Sequence, residues 1–214
     1  MSTKNKTSIS ESHLKTAREA IKDARWFDAE RAALASLDSA MEAGLHALAA
    51  DATDALWDAR HQRVLMAIDV ANGSPQVIDQ VDSELESVDP GVFLLVPYAV
   101  AADARRMRFV AMQTEVPMVA VCREPLTMSG QVPIVAIGEV TIRCYVDPPE
   151  DPDSHSLKWI MDALDSLGDS AIERLDPTIT DAQRIVALRN AVDSIPEHQK
   201  LHEALADAFR TGAA

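Results

Sequence analysis

The chain has 214 residues, with 34 acidic against 20 basic side chains, a formal net charge of −14 and only 4% aromatic residues. The negative charge is spread along the chain with no basic block, and phosphate contacts need clustered Lys and Arg, so no nucleic-acid partner is expected. No apolar run reaches membrane-spanning length, and the polar opening MSTKNKTSIS lacks a signal-peptide core, so the expectation is a cytoplasmic protein with no membrane partner.

In chain order, residues 1–11 are polar and are predicted to be a disordered tail. From Ser12 the apolar spacing turns helical and stays so to about Val70, with breaks near Arg25 and Gly44. Residues 12–75 are therefore assigned to a helical-hairpin domain, closed by the turn Asn72-Gly73-Ser74-Pro75. A shift of 31 residues superposes Leu14 on Leu45, Ala24 on Ala55, Trp26 on Trp57, Leu34 on Leu65 and Asp38 on Asp69. A period in the low thirties with an aromatic near the second helix points to stacked helical hairpins. At Trp26, Ala29, Ala33 and Leu37 the stretch resembles a tetratricopeptide repeat, in which an aromatic and small residues let two helices pack closely. The glycine expected before the aromatic and the proline expected after the second helix are missing. A plain helical bundle accounts for the same spacing.

Residues 76–90 read as an acidic linker with one short helical candidate, Gln76–Glu86. Its carboxylates Glu84, Glu86 and Asp89 do not match a calcium loop and read as solvated. The stretch 91–147 holds nearly all the strand-like sequence. Val92–Val96 and Val116–Cys122 are short apolar runs separated by an amphipathic helix, Ala101–Gln113, with Ala104, Met107 and Ala111 inward. That is a βαβ pattern, so the two strands are predicted to be adjacent and parallel. Pro133–Ile137 and Val140–Val146 follow as a hairpin across a two-residue Gly138-Glu139 turn of type II′. The fold class is mixed α+β: helical hairpins flank a small βαββ unit with a four-stranded mixed sheet.

Residues 148–155 are proline-rich and charged and read as a stiff linker. Residues 156–212 form a C-terminal helical segment. Leu157, Ile160, Met161 and Leu164 share a face, Gly168 is predicted to end that helix, and Asp169–Leu175 makes a short second one. Thr180-Asp181-Ala182-Gln183 matches a capping box, and Ser194-Ile195-Pro196-Glu197 a second one opening the last helix, which buries Leu201, Leu205, Ala208 and Phe209. Across that junction Ala191, Pro196, Leu205, Ala206 and Phe209 again resemble a tetratricopeptide repeat, at the small, proline and aromatic positions between hairpins.

In an open sheet, ligands collect at the carboxyl ends of parallel strands, here Pro97-Tyr98 and Cys122-Arg123-Glu124-Pro125, followed by Thr127, Ser129 and Gly130. The helix between the strands starts at the same edge, with Arg105 and Arg106 one turn in. One reading is an anion pocket formed by Tyr98, Arg105, Arg106, Cys122, Arg123 and Thr127, with Arg123 as counter-charge and the Cys122 thiol lowered in pKa. The other makes Arg123 and Glu124 a surface ion pair, Cys122 a core filler, and Arg105 and Arg106 solvated. Cys122 and Cys144 both fall in predicted strands and are expected to be reduced thiols. His198 and His202 are one turn apart, but with no third ligand beside them they read as helix-surface residues. No phosphate-cradling loop, nucleophile elbow or zinc-protease motif is present, and neither a catalytic residue, a metal nor a cofactor is implied.

The resulting expectation is a non-catalytic scaffold or protein-interaction module, whose helical hairpins bind a segment of a protein partner. Two alternatives stand beside it: a sensor or enzyme for a small anionic ligand around Cys122 and Arg123, and a structural protein whose partner is itself.

Overall fold

The computed structural model describes residues 3–151 and 154–212. It shows a mixed α+β fold with helices flanking a multi-stranded mixed sheet. The chain divides into two compact units: residues 1–63, 175–192 and 199–214 form the first, and residues 64–174 and 193–198 the second.

In the first unit, α1 (Thr3–Lys22), α2 (Trp26–Ala43) and the first part of α3 (His46–Ala71) follow one another across short turns, at the breaks the sequence predicts. Gly44 adopts a left-handed φ of 67°, which a side chain would strain, and its N–H closes α2 on the carbonyls of Ala40 and Met41. Ser10 meets Ser36, and Ala20, Ala29 and Ala59 form one cluster, so α1 and α2 run antiparallel with alanines where the three helices meet. Residues this small let helix axes approach closely. The predicted tail to residue 11 is instead the start of α1, apart from Met1 and Ser2, which lie outside the described residues. The buried Ser10 explains this: its hydroxyl donates to the Ser36 carbonyl at 2.8 Å, and the Ser36 hydroxyl donates to the Ser10 carbonyl at 2.9 Å. Trp26, the aromatic of the repeat-like pattern, is only half-buried, and its neighbour Phe27 takes the buried position. Helix α6 (Asp181–Ser194) opens on the predicted capping box: Gln183 N–H donates to the Thr180 hydroxyl, and Thr180 N–H to the Gln183 side chain. Helix α7 (Gln199–Thr211) buries Leu201, Leu205, Ala208 and Phe209.

The second unit is built on a sheet of five strands, not four, in the order β1-β2-β3-β4-β5. The predicted strands appear as β2 (Gly91–Leu95), β3 (Met118–Arg123), β4 (Val132–Ile137) and β5 (Thr141–Val146), with β2 and β3 parallel around α4 (Ala101–Thr114) and β4 and β5 antiparallel. The added strand is β1 (Gln76–Ile78), parallel to β2, where the sequence predicts a helical candidate. The helix-like spacing there has another cause. Ile78, Val81, Leu85 and Val88 anchor an irregular strap onto the core beneath α4. The β4–β5 turn also differs. Ile137 pairs with Thr141, so the loop is three residues, and Gly138 lacks the positive φ a type II′ turn requires. Gly138 is needed for space, since a Cβ there would lie 2.5 Å from the Ser194 hydroxyl.

Strand register fixes the faces. Cys122 and Val135 pair and belong to the core beneath α4. Arg123, Ile134 and Cys144 are in register on the other face, where Cys144 shares a cleft with α5 (Leu157–Glu173). Helix α5 continues straight through Gly168, where the sequence predicts its end. A Cβ at that position would lie 2.1 Å from His198 Cγ, so the glycine serves a close ring contact and not a helix stop. The second predicted capping box is absent as well: the Ser194 hydroxyl donates to the Val140 carbonyl at 2.9 Å, and α7 starts later, at Gln199. No regular element spans the predicted linker at residues 148–151 and 154–155; residues 152 and 153 lie outside the described residues.

Candidate functional site

The carboxyl ends of β2 and β3 do come together, because Leu95 is in register with Cys122. The side chains expected there are dispersed. Arg105 reaches Glu139 at 3.4 Å, and Arg106 reaches Asp103 at 3.0 Å and the Val81 carbonyl at 3.3 Å. Thr127 is turned into its own loop, accepting the Gln131 N–H at 3.0 Å. Tyr98 stands in solvent, 85% exposed. The amino end of α4 already carries a carboxylate, since Asp103 accepts the Val100 N–H at 2.9 Å. An incoming anion at that helix end would meet this charge.

Cys122 is buried, and its thiol is pushed up to about 12, first by burial and then by Glu124 and Asp103. That is the reverse of the lowered value the anion-pocket reading requires, because apolar surroundings and nearby carboxylates both oppose the thiolate. Cys144 is likewise buried and pushed up to about 11 by burial. The alternative ion pair between Arg123 and Glu124 is not formed either. Neighbours on a strand point to opposite faces, and Glu124 pairs across the sheet with Arg143 at 2.6 Å.

His198 and His202 are not surface residues: both are buried and belong to different surroundings. In the second unit, His198 Nε2 lies 3.3 Å from the Asp169 carboxylate. In the first unit, His202 Nε2 lies 3.1 Å from an Arg60 nitrogen, and its ring sits 5.1 Å from that of Trp57. Arginine offers only donors, so His202 Nε2 accepts, and the ring proton is on Nδ1. No group of three or more metal-binding side chains occurs among the described residues.

The sequence reading missed the charged cluster around Arg60. Glu30, 5% exposed, accepts from Arg60 Nε at 2.9 Å on one oxygen and pairs with Arg63 on the other. Burial pushes the Glu30 carboxyl up, but Arg60 and Arg63 outweigh it and hold the group below its ordinary value. The Arg63 guanidinium also lies over the Phe27 ring, 4.3 Å from its centre. Position on the buried stripe was the available signal. Glu30 is spaced three and seven residues from Ala33 and Leu37, and Arg60 four from Leu56. His202 is four from Ala206.

A concave surface in the first unit runs between α1 and α3. Three depressions of about 430, 450 and 300 Å³ line up along it. The first two share Glu11, Leu48 and Asp51; the second and third share Arg18, Lys22 and Asp51. Leu14, Ile21, Leu48 and Ala55 supply its apolar part. Its α3 wall carries Asp51, Asp54 and Asp58, spaced so that all three share a face. Burial raises the Asp54 carboxyl; Arg210 opposes this, and the like charges of Asp51 and Asp58 add to it.

Comparison with protein-family models, curated proteins and solved structures finds no match to this chain. No helix among the described residues is long and apolar enough to cross a membrane.

Proposed function

We propose that this protein is a non-catalytic interaction module whose α1–α3 groove takes a basic, amphipathic helical segment of a protein partner. The observation that carries this reading is the continuity of the groove from Thr7 to Lys22 on α1. At about 1.5 Å per residue that length is roughly 22 Å, enough for four turns of a bound helix. The chemistry of the walls selects the occupant. Asp51 is paired with Arg18 of α1 and Asp54 with Arg210, so Asp58 is the aspartate that favours a cationic side chain, and the apolar strip favours leucine-like anchors at helical spacing.

A fluorescein-labelled peptide of lysine and leucine at amphipathic helical spacing, read by anisotropy, tests the proposal. The expected result is saturable binding that weakens with salt and exceeds binding of the same residues in scrambled order. Leu48→Glu, and separately the exposed Asp58→Lys, should each weaken it roughly tenfold, in line with one lost interface anchor. Equal binding of the two peptides, or unchanged binding by both variants, would overturn the groove assignment.

A further inference from the structure

We propose that Arg18 is a latch across the α1–α3 groove. It holds Asp51 until a partner helix with two cationic side chains seven residues apart displaces it, the first cation settling on Asp58 and the second on Asp51. This rests on the groove reading above and adds how the groove opens and which spacing it selects.

The position of one ion pair carries the inference. Arg18 on α1 donates to the Asp51 carboxylate on α3 at 2.8 Å, so the pair ties one wall of the groove to the other. Asp51 lines all three depressions and Arg18 two of them. A helix that fills the groove end to end must therefore pass over this pair. Both side chains are about half exposed. An ion pair so open to water is held weakly, and another cation can replace Arg18 on Asp51 at little cost.

The other two aspartates of the wall set the order of events. Asp54 is paired with Arg210, which Asp207 also holds and which lines none of the three depressions. Arg210 is thus fixed by two carboxylates outside the lining, whereas Arg18 makes its ion pair within it. Asp58 is exposed in the third depression, which Arg18 also lines, and its carboxylate has no ion-pair partner among the described residues. An incoming cation meets this free carboxylate first. Asp51 and Asp58 are separated by two helical turns, about 10.5 Å along α3, on one face. Once the first cation is in place, a second at the same spacing on the partner reaches Asp51 at high effective concentration and outcompetes Arg18. A segment with a single cation takes Asp58 and leaves the latch shut.

The test uses the full chain and a fluorescein-labelled amphipathic lysine–leucine peptide with two lysines seven residues apart. Anisotropy is read at physiological ionic strength, where distant charges are screened. Arg18→Gln should tighten binding roughly fivefold, the upper range for an exposed ion pair that no longer has to be broken. In an Asp51→Asn background the same change should alter affinity less than about twofold, because only a screened charge is then removed. The gain should also vanish when glutamine replaces one of the peptide's two lysines. Equal gains with and without Asp51 would overturn the latch and leave the groove standing. So would equal affinity of wild type and Arg18→Gln for the two-lysine peptide. Absence of binding by both proteins, or binding by Arg18→Gln that Leu48→Glu leaves untouched, would overturn the groove and the latch with it.

Discussion

Replacing Glu30 by glutamine tests whether the first unit depends on its buried charge cluster. The substitution keeps the shape and removes the charge, leaving Arg60, 7% exposed, without the carboxylate on its Nε. Removing one partner of a buried pair costs about 3–5 kcal/mol, because the remaining charge stays desolvated. Arg63 retains its contact with Phe27, which places the expected loss toward the lower end of that range. Trp26 and Trp57 belong to the first unit and Trp159 to the second, so a Trp159→Phe background makes tryptophan fluorescence report the first unit during urea unfolding. Comparing Glu30→Gln with the triple change Glu30→Leu, Arg60→Met and Arg63→Met separates lost charge pairing from lost packing. The triple variant should recover most of the stability, since apolar groups of similar volume need no counter-charge. The pH profile has a definite sign. Glu30 is depressed in the folded state, so its contribution is complete above the unfolded value of about 4.3 and is lost as pH falls through the folded value. Glu30→Gln should therefore lose its stability deficit relative to wild type in strong acid. A Glu30→Gln midpoint equal to wild type at neutral pH would refute the reasoning.

Two other perturbations report on the second unit. Gly168→Ala should destabilise it by about 1–3 kcal/mol, because the new Cβ must displace the buried His198 ring; thermal melting followed at Trp159 checks this, and an unchanged melt would mean the ring moves freely. Cys122 and Cys144, raised to about 12 and about 11, should resist Ellman's reagent at pH 8 in native buffer and react at once in urea. Rapid native labelling of Cys122 would show that the strand end opens.

The sheet is legible in the sequence where burial is continuous. Val92–Leu95 and Met118–Cys122 are buried throughout, and runs of that kind announce a central parallel strand without help from the rest of the chain. Strand β1 is not legible. Its three residues are mostly exposed, and only the pairing of Val77 with Leu94 and its neighbours makes them a strand. The two misread glycines share a cause. Gly138 and Gly168 look like a turn and a helix stop because local propensity is all a sequence displays, whereas both positions are set by a distant backbone or ring that leaves no room for a Cβ.

The candidate sites divide in the same way. Arg123 was placed correctly at the strand end, but the pocket drawn around it assumed that chain neighbours act together. Strand alternation sends Arg123 and Glu124 to opposite faces, and Asp103 fills the helix end where an anion was expected. An anion site would need these charges to converge, whereas Arg105, Arg106 and Arg143 are each turned to a carboxylate of the chain itself. The His202, Glu30 and Arg60 cluster carries the complementary lesson. Each lies on the apolar stripe of its own helix, yet no single helix shows that the three stripes meet. A charged residue at a core position is legible one at a time, as an exception to the pattern. Its partners are fixed only when α2, α3 and α7 bring a carboxylate, a guanidinium and an imidazole together, which is why composition alone could not point to this cluster.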